Sequence, residues 1–321
     1  MTKPKVLLTR ELHDFALKEL RSHYSIQVHS GKIPMPKKKL IEKIKDKEGL
    51  ICFPYDNIDR QIIDSAKKLK AISTYSVGFD HIDISCAKRK NIKIGYTPEV
   101  LTDATADLTI SLILDLLRRL TEGDRIIREG GWRQIYGAYD YVGVDLSGKT
   151  LGILGLGRIG QAVAKRAHPF GMKIIYHNRH RLSLSQEKKL HVKSVSLNEL
   201  FTKSDVLSIH VPYTKETHQF VNMKFFKKMK RTSFLINTAR GKIIKEKDLT
   251  SALKQKIISG AALDVFEKEP ISKTHPLTKI SNVVLTPHIG SSTEETRKKM
   301  AKITIKNLKL ALDGKKPIYS V

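Results

Sequence analysis

Three side chains able to move or stabilise charge follow three segments that read as consecutive β-strands. Arg240 follows residues 233–237 in Asn237-Thr238-Ala239-Arg240-Gly241, and Glu269 follows 261–265 in Asp264-Val265-Phe266-Glu267-Lys268-Glu269-Pro270. His288 follows 283–286 in Pro287-His288-Ile289-Gly290-Ser291. A guanidinium can clamp an acid, a carboxylate can orient an imidazole, and an imidazole can deliver a proton to a developing alkoxide. Each residue alone would be an ordinary structural one. In a doubly wound sheet, however, ligands bind beyond the carboxyl ends of the strands, so groups at three successive strand ends are expected to converge.

Upstream, Gly155-Leu156-Gly157-Arg158-Ile159-Gly160 sits between the strand-like 151–154 and the helical run Gln161-Ala162-Val163-Ala164-Lys165-Arg166-Ala167. In that context the first glycine permits a tight turn, the second admits a pyrophosphate to the backbone, and the third lets the helix pack close with its positive end toward the phosphates. A dinucleotide is therefore expected, with the three strand-end groups on its nicotinamide side. The next strand closes at His177, where an NAD site usually offers an acid to the ribose hydroxyls. Here the chain offers Asn178, Arg179, His180 and Arg181 instead, cations suited to a 2′-phosphate, so NADP is the preferred coenzyme with NAD possible.

Positioning these groups requires a parallel sheet, and the pattern supplies two. Short β-branched runs alternate with amphipathic stretches over 6–94 and again over 151–286, separated by the apolar helical stretch 101–120, read as a spine joining two domains. A last helix is expected to begin with a capping box, Ser292 with Glu295, to present Ala301, Ile305, Leu308 and Leu312 on one face, to stop at Gly314, and to cross back onto the first domain. The expected fold is thus α/β, with a flavodoxin-like substrate domain of residues 1–98 and 290–321, a Rossmann dinucleotide-binding domain of 99–289, and the active site in a cleft between them.

Composition narrows the function class. A length of 321 residues predicts about two domains. No apolar run is long enough for a membrane span and the N-terminus lacks a signal core, so a cytoplasmic protein is expected. Cys52 and Cys86 have no metal-ligand spacing, and no metal is expected. Lys+Arg total 59 against 32 Asp+Glu, a net charge of +27, but only 16 of the cations are arginine and the lysines are scattered in short clusters. Nucleic-acid binders concentrate their basic residues, so a solvated basic surface is the better reading and a nucleic-acid partner is not expected.

Taken together, Ser76-Val77-Gly78-Phe79-Asp80, the segment 95–102, the glycine fingerprint, 237–241, 263–270 and 286–291 resemble the D-isomer-specific 2-hydroxyacid dehydrogenase family, and within it the glyoxylate/hydroxypyruvate reductases. The resemblance implies reduction of a small 2-oxo acid to the D-2-hydroxy acid. It implies that the backbone N–H groups of Val77 and Gly78 hold the substrate carboxylate, that Arg240 binds carboxylate and keto oxygen, and that Glu269 orients and charges His288, the proton donor. It further implies nicotinamide contacts at Thr238, Asp264 and Gly290, with His210, Val211 and Pro212 near the adenosine, and a homodimer through an arm containing Trp132. Where relatives carry Val-Ala-Glu on the linking helix this chain has Thr105-Ala106-Asp107, and Thr105 is placed near the cofactor. Pro54, between Phe53 and Tyr55, is expected to narrow the pocket for the substrate side chain. Two alternatives remain open on sequence: a dinucleotide-sensing transcriptional corepressor of the same fold, and a phosphoglycerate-type dehydrogenase lacking the regulatory domain.

Overall fold

The computed structural model describes residues 3–31 and 33–321. They form two compact units, one of residues up to Leu101 together with Ser291–Val321, the other Thr102–Gly290. In the first unit β1 (Lys5–Leu8), α1 (Asp14–His23), β2 (Ser25–Val28), α2 (Lys37–Ile44), β3 (Gly49–Cys52), α3 (Arg60–Ser65), β4 (Ala71–Thr74), α4 (Ile84–Arg89) and β5 (Lys93–Gly95) alternate. The strands pair in parallel in the order β2-β1-β3-β4-β5, the flavodoxin-like order. Every residue of β3 and β4 is buried, as helices on both faces of a parallel sheet require. After β3 the chain turns at Phe53, whose N–H donates to Asp56 Oδ2 at 2.8 Å, and the Thr9 hydroxyl from the end of β1 donates to the same oxygen.

The second unit starts with α5 (Thr102–Arg118) and α6 (Leu120–Arg128), followed by β6 (Thr150–Leu154), α7 (Arg158–Ala167), β7 (Lys173–His177), α8 (Leu184–Leu190), β8 (Val192–Ser194) and α9 (Leu197–Lys203). It continues with β9 (Val206–Ile209), α10 (Met223–Phe226), β10 (Phe234–Asn237), α11 (Glu246–Lys254), β11 (Gly260–Leu263) and β12 (Val283–Leu285). Its seven parallel strands run β12-β11-β10-β9-β6-β7-β8, so the order reverses between β6 and β9. One face of the sheet is covered by Ile110, Ile113 and Leu117 of α5 with Val163 and Ala167 of α7. Phe201, Phe226, Leu249 and Leu253 cover the other.

Two elements depart from the pattern that the sequence shows. Strand β8, at three residues with one apolar side chain, carries no periodic signal. The helix expected over 101–120 stops at Arg118, because Arg119 takes a left-handed φ of 56° and Asp115 accepts the Thr121 N–H at 2.7 Å, starting α6 in a new direction. The apolar side chains of α5 belong to the core of the second unit.

The chain then returns to the first unit as α12 (Glu294–Leu312). Its cap is Thr293, whose side chain accepts the Thr296 N–H at 3.3 Å, so the capping box expected at Ser292 does not form; two adjacent hydroxyl residues made the start ambiguous by one position. Ala301, Ile305 and Leu308 are buried against β3, β4 and β5. Ser73 donates to the Thr304 carbonyl at 2.8 Å and the Asn307 amide to the Tyr96 carbonyl at 2.9 Å, so the helix is bonded to the sheet as well as packed on it.

Candidate active site

The glycine turn lies where the strand order of the second unit reverses. Gly155 has φ +98°, and a Cβ there would sit 2.7 Å from the Val211 nitrogen, so only glycine lets the end of β6 pass the backbone of His210 and Val211 beyond β9. A Cβ on Gly157 would meet nothing within 4 Å, which leaves open space above the start of α7, while Gly160 packs on the Gly155 carbonyl. Arg158 and Ile159 form the first turn of α7, whose N–H groups face that space. This cradle fits a pyrophosphate, the charge and shape that a helix N-terminus favours.

Asn178 supports the turn: its Oδ1 accepts the Leu156 N–H at 2.6 Å. Beyond it Arg179, His180 and Arg181 are exposed. Arg181 is engaged within the protein, its Nε and Nη2 each donating at 2.8 Å to the two oxygens of Glu187, which also accepts the Tyr176 hydroxyl at 2.7 Å. These bonds hold the Glu187 carboxyl down at about 2, below the usual carboxylate range. Glu187 and Tyr176 were not anticipated from sequence, since nothing in their spacing marks a partnership across the turn.

The three strand-end groups belong to adjacent strands, β10, β11 and β12. His288 Nδ1 is 2.7 Å from Glu269 Oε2, and Glu269 Oε1 accepts the Phe266 N–H at 2.9 Å. A carboxylate only accepts, so Nδ1 carries the proton of that bond and the transferable proton belongs to Nε2. His288 has a left-handed backbone, φ 54°, uncommon for a residue with a Cβ. Asp264 holds it there, accepting from Thr286 Oγ1 and the Ile289 N–H at 2.7 Å each and from the Gly290 N–H at 2.8 Å. Burial raises the Asp264 carboxyl above its ordinary value. Thr105 is buried and donates to the Gly290 carbonyl at 3.1 Å, and Thr109, the next turn of α5, meets Thr238 hydroxyl to hydroxyl at 3.0 Å. Nothing in the sequence marked Thr109 or Thr286 for these bonds.

Arg240 is aimed by its neighbours. The Asn237 amide donates to the Arg240 carbonyl at 2.9 Å, and Arg240 Nη1 donates to the Ala239 carbonyl at 2.8 Å. A Cβ on Gly241 would lie 1.9 Å from the Phe266 carbonyl carbon, so the segment bearing Arg240 lies directly on the turn that bears Glu269.

In the first unit Val77 and Gly78 occupy the loop after β4, and Pro54 the loop after β3. Phe53 and Tyr75 hold these loops together with ring centroids 5.0 Å apart, and the Tyr75 hydroxyl donates to the Arg297 carbonyl of α12 at 2.7 Å. Arg10, following β1, stands over the Tyr55 ring at 5.7 Å. Trp132 is not core: its exposure is 59%, and Leu120, Ile127, Ile135, Tyr139 and Val142 of the same segment are exposed with it. Among the described residues no group of three or more His, Cys, Asp and Glu could hold a metal, and no helix is long and apolar enough to cross a membrane.

His210 offers a measurable consequence. Burial pulls its imidazole down from 6.5 to about 4, and Ser208 Oγ lies 2.8 Å from its Nε2. An unfolded chain binds this proton below about pH 6.5 and the folded one only below about 4, so stability is full above the upper value and falls as pH drops through the window. The loss at the bottom amounts to about 3 kcal/mol. Urea unfolding of wild type and His210→Asn at pH 7.5 and 4.5 is expected to show a steeper acid loss in wild type; parallel losses would remove His210 as the cause.

A family model for the D-isomer specific 2-hydroxyacid dehydrogenase NAD binding domain matches residues 110–290. The chain is 46% identical over 318 residues to a glyoxylate reductase of Thermofilum pendens, covering 99% of this chain and 94% of that protein. It is similar to the crystal structure of the TT0316 protein from Thermus thermophilus, with a TM-score of 0.91, 43% identity and 99% of both chains covered. An NADPH-dependent glyoxylate/hydroxypyruvate reductase of Sinorhizobium meliloti, solved with NADP and malonate, matches with a TM-score of 0.87 at 29% identity, over 100% of this chain and 97% of that one.

Proposed function

Because the chain belongs to the D-isomer specific 2-hydroxyacid dehydrogenases, we propose that it reduces a small 2-oxo acid, glyoxylate or hydroxypyruvate, to the D-2-hydroxy acid, with NADPH preferred and NADH accepted. The observation that carries this reading is the His288–Glu269 pair, 2.7 Å apart, with the Arg240 segment packed against the turn that holds Glu269. When bound, the nicotinamide coenzyme supplies the hydride that adds to the keto carbon. His288 Nε2 gives its proton to the oxygen that becomes the hydroxyl, while Glu269 keeps the ring in register. Arg240 draws the carboxylate and keto oxygen toward that proton and stabilises charge growing on the oxygen. Val77 and Gly78 N–H groups hold the carboxylate, and Pro54 between its two aromatic neighbours restricts what extends beyond the keto carbon.

A kcat/KM panel over glyoxylate, hydroxypyruvate, pyruvate, phenylpyruvate and phosphohydroxypyruvate, each with NADPH and NADH, tests the reading. Glyoxylate and hydroxypyruvate are expected to lead, with pyruvate slow, since a methyl in a tight pocket shifts discrimination by about 10- to 200-fold. Phenylpyruvate or phosphohydroxypyruvate ahead by tenfold overturns the substrate choice. For the coenzyme, Arg181 is spoken for by Glu187, so Arg179 is the cation assigned to the 2′-phosphate. Arg179→Ala is expected to raise the KM for NADPH about tenfold and leave NADH within twofold; equal effects on both would remove the 2′-phosphate contact.

Exposed large apolar side chains are concentrated between Leu120 and Val142, and a second copy of the chain is their proposed cover. Light scattering at micromolar concentration should give twice the 36.4 kDa chain mass. A monomer there, or a dimer undisturbed by Trp132→Glu with Ile135→Glu, would refute this.

A further inference from the structure

Beneath the Val77–Gly78 loop lies a chain of hydrogen bonds whose direction is fixed by counting protons. Ser76 Oγ is 2.6 Å from the Gly78 carbonyl oxygen, which can only accept, so the single Ser76 hydroxyl proton is used there. Thr74 Oγ1 lies 2.7 Å from Ser76 Oγ, and one of the two must donate; with the serine proton committed, the donor is Thr74. His81 Nε2 lies 3.0 Å from Thr74 Oγ1, which has no proton left, so His81 is the donor and carries its hydrogen on Nε2. Cys52 Sγ, 3.9 Å from the same nitrogen, is a weak acceptor and does not compete for it. Thr74, Ser76 and Cys52 are buried, where an interrupted chain would leave polar atoms unsatisfied.

The loop between these residues is fixed at its ends by the main chain. The Tyr75 N–H donates to the Cys52 carbonyl at 2.8 Å and the Thr97 N–H to the Ser76 carbonyl at 2.8 Å, while the His81 carbonyl accepts the Ile58 N–H at 2.8 Å. Between Ser76 and His81 the chain passes through Gly78, the residue with the greatest freedom to rotate. The bond from Ser76 to the Gly78 carbonyl closes a small ring through Val77 and Gly78, which limits the backbone rotations that set where the Val77 and Gly78 N–H groups point.

We infer that His81 is a positioning residue for the 2-oxo acid, acting through Thr74 and Ser76 to hold the turn from Ser76 to Gly78 so that the Val77 and Gly78 N–H groups aim at the substrate carboxylate. This rests on the reading that these two N–H groups bind that carboxylate. Donation from Nε2 is the whole requirement, so a side chain that places an N–H at the same point restores the relay and an apolar one breaks it.

The experiment compares Ser76→Ala, His81→Leu, His81→Gln and Thr74→Val in the whole chain, measuring kcat and KM for glyoxylate, NADPH affinity by fluorescence titration, and melting temperature. Ser76→Ala and His81→Leu are expected to raise the glyoxylate KM about five- to tenfold, with NADPH affinity within twofold of wild type. His81→Gln should recover most of that loss, and Thr74→Val, which removes the hydroxyl at nearly constant volume, should share it. Combining Ser76→Ala with His81→Leu should raise KM no further than the worse single change, because both cut one relay. A lowered melting temperature with unchanged KM, or full additivity in the pair, overturns the inference. Gly78→Pro, which deletes the N–H itself, separates the two levels: unchanged KM in that variant defeats the carboxylate reading, whereas a raised KM there with silent Ser76 and His81 variants defeats the relay alone. Should Gly78→Pro not fold, Val77→Pro serves the same purpose, and the Ser76 and His81 variants still decide the relay.

Discussion

His288→Gln is expected to bind NADPH as wild type does and to lose about 10² to 10⁴ in kcat, the range that a positioned general acid contributes. Glutamine keeps a polar contact with Glu269 but has no proton of suitable acidity to give. Because Asp264 holds the segment through the Thr286 hydroxyl and the main-chain N–H groups of Ile289 and Gly290, its shape does not depend on the histidine ring. Coenzyme titration and single-turnover kinetics on the same preparation separate binding from chemistry. Turnover within tenfold of wild type would mean that another group supplies the proton.

Gly241→Ala is expected to be as damaging although it removes no functional group. The added carbon would stand 1.9 Å from the Phe266 carbonyl carbon and 2.1 Å from its oxygen, and both are backbone atoms that cannot swing aside. Relieving the clash separates the Arg240 segment from the Glu269 turn. A cost of about 3 kcal/mol is expected, toward the upper end of overpacking effects. A displacement near 1 Å at Arg240 costs a further factor of about 10² in kcat/KM. Gly157→Ala is the informative control, since nothing lies within 4 Å of its added carbon: its melting temperature should stay within about 1 °C of wild type. A Gly241→Ala protein as stable and active as wild type would show that the two segments have slack.

Which parts of this molecule were legible in its sequence follows from where the information resides. The interior strands β4 and β7 are legible because buried parallel strands are short β-branched or apolar runs bounded by polar turns. The juxtaposition of Glu269 and His288 could be expected because β11 and β12 are consecutive and adjacent, so their ends share a neighbourhood. Other features depend on partners distant in sequence or on a single backbone angle. The left-handed Arg119 that ends α5 leaves no trace in hydrophobic period, and neither does β8. Arg181 looks the same in sequence whether it faces a ligand or Glu187; only the fold distinguishes them. The buried bond from Thr105 to the Gly290 carbonyl, a tie between α5 and the segment carrying His288, likewise joins residues far apart in sequence.

The return of α12 to the first unit sets the order in which the protein can be finished during synthesis. Strands β1 to β5 leave the ribosome first, yet the helix that covers β3, β4 and β5 is made only after the whole second unit. The second unit is continuous in sequence and can close its own core once β12 has emerged, whereas the first must wait with β3, β4 and β5 uncovered on the side that α12 takes beside α1. The part begun first is therefore completed last, and a nascent chain halted before residue 294 presents a finished second unit joined to a sheet whose uncovered apolar face invites chaperones and other unfinished chains.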